Sequence, residues 1–374
     1  MRKILAISFF NSFVSGGLAL VIPLLLLERN VSLAEIGIVI SILPLVFLAV
    51  RLLFAALADQ VGWARFYLLL NWPGTLISTL IYFIASSTPA FLLGKIVEAV
   101  KASSYWAVNR TAIFSLSPQQ KAAGATRNAA VLSLSTAVGG AASGVALAFM
   151  GFALTLSMLI FVSAIMVIPA ALIWRAQGKR SSAGVLRPLV SLNPKGKGRA
   201  FWFVSFVMLF YSLALYPLFS LLLPVFMAHE LGYDYLAIGA AFMLYGLLAA
   251  SVTFATLRFS LGILRVVIQS VVALFATFLL AGSGYWFLAL FLALALADGL
   301  GIGFFESIIA KASKNELTVS FDVGLLHIPM RIAEFTSVLL AGFVVQSFGY
   351  IPVFAASGFF FTAFSVLSLY ALRL

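Results

Sequence analysis

No cysteine occurs anywhere in the chain. Disulfides, thiolate metal sites and a cysteine nucleophile are therefore excluded. Histidine is nearly as scarce: His229 and His327 lie about a hundred residues apart, and two scattered imidazoles do not make a zinc ligand set. No Gly-x-x-x-x-Gly-Lys-Ser/Thr phosphate loop is present, which argues against ATP hydrolysis as a driving force. Charge is the last scarcity, at 9% of residues against about 25% in soluble domains. No cofactor, resident metal or catalytic residue is expected, and the chain reads as a non-enzyme.

What fills the space instead is oil. Hydrophobic residues make up 63% of the 374 positions, and the mean hydropathy is +1.15. A soluble fold of this length cannot hide so much apolar surface, so lipid is the solvent for most of the chain. A spanning helix needs about 20 apolar residues. Twelve segments qualify, at roughly 4–28, 33–57, 65–86, 89–113, 124–149, 152–175, 201–227, 234–257, 263–282, 285–312, 325–346 and 350–372. The first is read as a retained helix, because its apolar run outlasts the core of a signal peptide and no small-residue cleavage site follows.

The net charge of +12 is a statement about topology. With the N-terminus inside, nearly every Lys and Arg falls on the inner side, while the outer loops hold Arg29 with Glu28, Glu35, Glu230 and Asp234. This is the positive-inside bias. The chain is expected to be a multi-pass protein of the cytoplasmic (inner) membrane with both termini cytoplasmic, and no nucleic acid partner is implied. Arg175 to Arg199 carries seven basic residues and no acid, as suits a tether against anionic lipid headgroups. The expected division is an N-terminal bundle (1–175), a basic linker (176–200) and a C-terminal bundle (201–374).

The two halves look alike. Pro23 matches Pro224, Ile36-Gly37 matches Ile238-Gly239, and Leu57, Gly62 and Arg65 match Leu257, Gly262 and Arg265. Internal symmetry of this kind is expected of transporters built from repeats. Between the second and third segments, "AALADQVGWAR" offers Leu57, Ala58, Asp59 and Gly62 to the pattern G-x-L-A-D-R-x-G-R-R. The chain thereby resembles the major facilitator superfamily over essentially its whole length. That resemblance implies an all-α membrane protein of twelve transmembrane helices in two pseudo-symmetric six-helix bundles. It also implies a conformational latch at Asp59 and Gly62, for which Arg110 is the expected partner. Ala55, Gln60 and Trp63-Ala64 depart from the pattern.

The fourth segment poses the functional question. In "GKIVEAVKASSYWAVNR" (Gly94 to Arg110), Lys95, Glu98, Lys101, Tyr105 and Asn109 share one face at helical spacing. Charges at mid-bilayer are tolerated when they pair with each other or line a polar cavity. In one reading Glu98 carries a proton while Lys95 and Lys101 hold an anion. In the other the three are a neutralised structural cluster. Some proton-coupled exporters of the resembled family carry R-x-x-Q-G here, where this chain has Lys95, Glu98 and Ala99. The helix-5 small-residue run includes Gly140 and Gly144 but lacks that family's antiporter Gly-Pro. Asp298 is expected to be either a proton site or a partner of Lys101, and Glu334 is the deeper candidate beside His327 and Arg331. Asn11 and Tyr211 complete the expected substrate contacts.

The resulting expectation is a secondary active transporter working by alternating access, exporting amphipathic or drug-like organic solutes in exchange for protons. Two alternatives stand beside it: uptake of a small organic anion by proton symport, and a lipid transporter or scramblase on the same scaffold. The expected partners are a small-molecule substrate, protons and membrane lipids, with the chain as a monomer.

Overall fold

The computed structural model describes residues 2–116, 118–177, 197–256, 262–282, 284–313 and 319–373, the side chains of 56, 59–61, 118 and 319–321 excepted. Most of the basic linker lies outside them. Backbone polar groups in lipid must be satisfied within the segment, and the described chain responds with twelve helices: α1 (Arg2–Glu28), α2 (Leu33–Val61), α3 (Ala64–Ile84), α4 (Thr88–Leu116), α5 (121–150), α6 (152–177), α7 (Arg199–His229), α8 (Tyr235–Thr256), α9 (Ile263–Leu280), α10 (Phe287–Ala312), α11 (Val319–Leu326, continuing as Ile328–Phe348) and α12 (Ile351–Arg373).

Length and hydropathy alone single out ten of these stretches. The difference has two causes. α5 and α6 form one continuous helical stretch that breaks at Gly151, whose φ of 72° is a conformation few residues besides glycine adopt. α4 is excluded by its own charges, Lys95, Glu98, Lys101 and Arg110. Elsewhere the ends follow local chemistry. Ser32 and Glu35 form a capping box at the start of α2, satisfying two otherwise free N–H groups. Wide π-turns interrupt α3 at Tyr67–Asn71 and α7 at Leu218–Leu222, each just before a proline that removes a backbone donor.

The first six helices form one half and the last six the other. Exposed apolar side chains such as Phe149, Phe161, Leu264, Phe275 and Phe359 form the outer surface expected to meet lipid. Within the N-terminal half, Gly16 and Gly139 let α1 and α5 touch: a Cβ on Gly139 would lie 2.0 Å from the Phe13 carbonyl oxygen.

Between the halves, helices touch at the end away from the chain termini. There α5 meets α8 and α2 meets α11. A Cβ on Gly144 would lie 2.7 Å from Gly239 Cα, and one on Gly342 would lie 3.4 Å from Gly37 Cα. Small residues allow this approach, which in lipid rests on packing rather than on hydrophobic drive. Ala34 N–H donates to Gln346 Oε1 at 3.3 Å and Tyr235 O–H to Glu28 Oε2 at 2.8 Å across the same end.

Gly140 sits one turn from Gly144 but in more open surroundings: a Cβ there would lie 3.8 Å from Phe242 Cβ, an ordinary van der Waals contact. Gly144→Ala is expected to weaken the closed seam by about 1–3 kcal/mol through overpacking, read as a lower thermal midpoint of the purified protein. Gly140→Ala should stay within about 0.5 kcal/mol of the parent.

Candidate functional site

A cavity of about 380 Å³ lies between the halves. One wall is the small-residue face of α5 (Ser133, Thr136, Ala137, Gly140) with Gly16 and Ala19 of α1. The other is aromatic: Phe219 of α7 and Phe242 and Tyr245 of α8, with Phe219 and Tyr245 ring centroids 4.7 Å apart. Tyr211 of α7 and Phe305 of α10 also pack at 4.7 Å. Among the described residues, the carboxyl and guanidinium groups on this lining are those of Asp298, Glu306 and Arg110.

Asp298 is half-buried and faces the cavity from α10. Its Oδ1 accepts from Tyr211 O–H at 3.0 Å and its Oδ2 from Tyr245 O–H at 3.2 Å. Gly299, the next residue, is what brings α10 against α8: a Cβ there would lie 2.6 Å from the Ala249 carbonyl oxygen. The carboxylate is therefore anchored by two phenols of its own half. The expected alternative, a pair with Lys101, is not what forms.

Arg110 closes the cavity toward the termini-bearing end. Its Nε donates to Glu306 Oε2 at 3.2 Å and its Nη2 to Glu306 Oε1 at 2.7 Å. This two-point geometry is the strong form of a charge-assisted pair, and it crosses from α4 to α10. Nη1 lies 3.2 Å from His327 Nε2, while His327 Nδ1 lies 2.6 Å from the Val323 carbonyl oxygen. Such an arrangement puts the imidazole proton on Nδ1 and leaves Nε2 to accept. Arg110 thus pairs with Glu306 among the described residues. The Asp59 side chain lies outside the described residues, and Gly62 turns the end of α2 with a φ of 84°.

Deeper in the interface, Arg331 pairs with Glu334 on α11. Its guanidinium sits 3.9 Å from the ring centroid of Phe47 on α2. Glu334 also accepts from Ser212 O–H of α7 at 3.1 Å. Arg331 is therefore a buried bridge between the halves. Arg51 is buried as well.

The charged stripe of α4 points elsewhere. Lys95 donates to Glu98 Oε2 at 2.9 Å, and Tyr82 O–H of α3 donates to the same oxygen at 2.6 Å. Lys101 turns to α1, donating to Asn11 Oδ1 at 3.3 Å and Ser15 Oγ at 3.1 Å. Asn71 Nδ2 also donates to Asn11 Oδ1, at 3.2 Å. Further along, Tyr105 O–H donates to Ser8 Oγ at 2.7 Å, and Tyr67 O–H to Asn109 Oδ1 at 3.1 Å. These groups form a buried network inside the N-terminal half. The expectation that Lys95, Lys101, Tyr105, Asn109 and Asn11 line the central cavity is corrected, and of the expected substrate contacts Tyr211 is the one on its wall. The reason is directional. A polar stripe in lipid can hide in a cavity or against sister helices, and helical periodicity is the same in both cases. The α4 residues on the cavity are Trp106 and Arg110. Tyr245, Phe242 and Phe219 were not singled out by the sequence, since each sits in an apolar run with no local mark.

A model of the Major Facilitator Superfamily matches residues 4–316. No curated protein matches by sequence. The crystal structure of the human organic anion transporter MFSD10 (TETRAN) is similar, with a TM-score of 0.73 over 98% of this chain and 99% of that one, at 16% identity. Identity that low speaks for a shared fold alone. The family match, which spans most of the chain, and the twelve helices in two halves lead to one conclusion: the chain belongs to the major facilitator superfamily and is a membrane transporter.

Proposed function

We propose that the protein exports amphipathic or drug-like organic solutes in exchange for protons, by alternating access of the cavity between its halves. The observation that carries this reading is Asp298: a carboxylate open to an aromatic cavity and held by two phenols. An ionisable residue inside a membrane protein is costly and marks a functional pathway. The energy available suits the task, since moving one charge through 100 mV yields about 2.3 kcal/mol.

In this cycle Asp298 takes a proton from one side and releases it to the other as solute leaves or enters. Glu334 and Glu98 are the accessory proton groups, each bonded to a basic neighbour and a hydroxyl. Tyr216 of α7 lies within electrostatic reach of both. Arg110 with Glu306 is the latch of the termini-bearing end, together with Asp59 and Gly62. The glycine seams hold the far end. Both termini are assigned to the cytoplasm of the inner membrane by the basic excess at their end. The protein acts as a monomer in contact with anionic lipid.

A second reading, proton-linked uptake of a small organic anion, draws support from Arg110 on the cavity wall and from the human organic anion transporter of the same fold. It is weaker because three nitrogens of Arg110 already have partners and the α4 lysines lie in the N-terminal half.

In liposomes carrying a pH gradient, the wild-type protein is expected to drive solute against its concentration. Asp298→Asn should reduce gradient-driven movement to the level of protein-free liposomes. Transport that ignores the gradient and survives amide replacement of Glu98, Asp298 and Glu334 together overturns the reading. Lys95→Met strands the buried Glu98 and should cost about 3–5 kcal/mol of stability, seen as a lower unfolding midpoint, without changing which solutes are carried.

A further inference from the structure

We propose that α10 bends at its glycines between Asp298 and Glu306, with Arg265 and Gln269 of α9 as positioning residues: Arg265 is the pivot of the bend and Gln269 the catch that holds it. This deepens the proposed function and rests on it for the part played by Asp298.

α10 carries both carboxyl groups of the cavity lining. Asp298 and Glu306 are a little over two turns apart, roughly 12 Å along a straight helix, with Gly299, Gly301 and Gly303 between them. Glycine leaves a helix backbone its greatest freedom, so α10 yields most easily here. α4, on the other side of the latch, has no glycine between Lys95 and Arg110. Its side chains are tied to α1 and α3 by buried hydrogen bonds. The latch therefore joins a stiff helix to a jointed one, and opening it moves Glu306.

α9 meets the joint with two polar side chains one turn apart. Arg265 donates to the Leu300 carbonyl oxygen from Nε at 3.0 Å and from Nη2 at 2.6 Å. Its guanidinium lies 5.1 Å from the Phe304 ring centroid, and Gly303 makes room for it, since a Cβ there would run into Nη2. In lipid, a carbonyl that loses its helix bond must be satisfied by another group. The Leu300 carbonyl has that group in place, so the helix can open at this point without stranding it. Gln269 is fully buried, and a Cβ on Gly301 would lie 2.7 Å from its Nε2. Among the described residues, neither Nε2 nor Oε1 of Gln269 has a hydrogen-bond partner. A buried amide left unpaired is costly, and each one calls for an explanation. A second conformation supplies it: as α10 bends away from Arg110, a carbonyl beside Gly301 turns toward α9 and Gln269 Nε2 donates to it.

Asp298 controls the bend through its anchor. The titratable and charged groups around it are Tyr211 of α7, Tyr245 of α8, Arg110 of α4 and Glu306 of its own helix, while α9 brings Arg265 to the carbonyl two residues on. α1, α5, α11 and α12 bring none to the lining. A proton on the carboxylate weakens its acceptance from the two phenols, and the segment of α10 beyond the glycines is then free to carry Glu306 away.

Because the chain has no cysteine, nitroxide labels can be placed in pairs without background. Ala200→Cys with Ala312→Cys joins α7 to α10 within the C-terminal half, and Leu116→Cys with Ala312→Cys crosses the latch. Distances are read by double electron–electron resonance on the purified full chain in lipid nanodiscs, with Asp298 intact and as Asp298→Asn, a neutral form. The first pair is expected to show two distances, the second more populated in Asp298→Asn. Gln269→Met should lower that second population at least about tenfold while raising the thermal midpoint, because an unpaired amide leaves the core. A single within-half distance alongside a changing cross-latch distance means that the halves rock as rigid bodies, and overturns the bend. Two populations unaltered by Gln269→Met, or a lowered midpoint, overturn the catch. Two populations that Gln269→Met abolishes but Asp298→Asn leaves unmoved uphold the bend and overturn the proton reading of Asp298. Single, unchanged distances for both pairs overturn both.

Discussion

Arg110 reaches from α4 to Glu306 on α10 with two hydrogen bonds, and much of the interface is arranged around that pair. An isolated charge in this setting would cost at least about 2.5–3.5 kcal/mol. Paired, it fixes the distance between the halves at the termini-bearing end and seals the cavity floor. Removing either partner would leave the other buried and alone, which is why such pairs are costly to break. Because the pair joins the two halves, that cost falls on their separation and not on the folding of either one. The cavity inherits its electrical character from the same fact: with Arg110 and Glu306 spent on one another, Asp298 defines what is left.

The two ends of the interface are held by different physics. At the far end, glycines of α2, α5, α8 and α11 bring backbones into contact, and the attraction is short-ranged dispersion. At the other end, charges and a ring hold the helices, as in Arg110 with Glu306 and Arg331 over Phe47. Dispersion fails with a small separation, whereas a charge pair weakens gradually and can be exchanged for water.

Much of the fold was legible in the sequence. Twelve apolar runs predicted twelve helices, and the gap between 149 and 152 falls at the Gly151 break. The repeat was legible too, and it marked more than ancestry: Gly37 and Gly239, matched by sequence, are the two glycines that meet Gly342 and Gly144 across the halves. The site was only partly legible. Asp298 stood out because an acid in the middle of an apolar helix needs a reason to exist. Tyr245 and Phe242 did not, because aromatic residues are common in this chain and only tertiary contact distinguishes them. The stripe of α4 was recognised as polar, but its periodicity says nothing about which neighbour it faces.

The single-residue corner at Gly151 has a mechanical consequence. α5 and α6 are joined with no slack between them, so α6 cannot stay behind when α5 tilts against α8. At 1.5 Å per residue α6 is roughly 39 Å long, and it acts as a lever fixed at that corner. A small rocking of α5 about its glycine contact becomes a displacement of several ångströms at the free end of α6, where the basic tether between the halves begins.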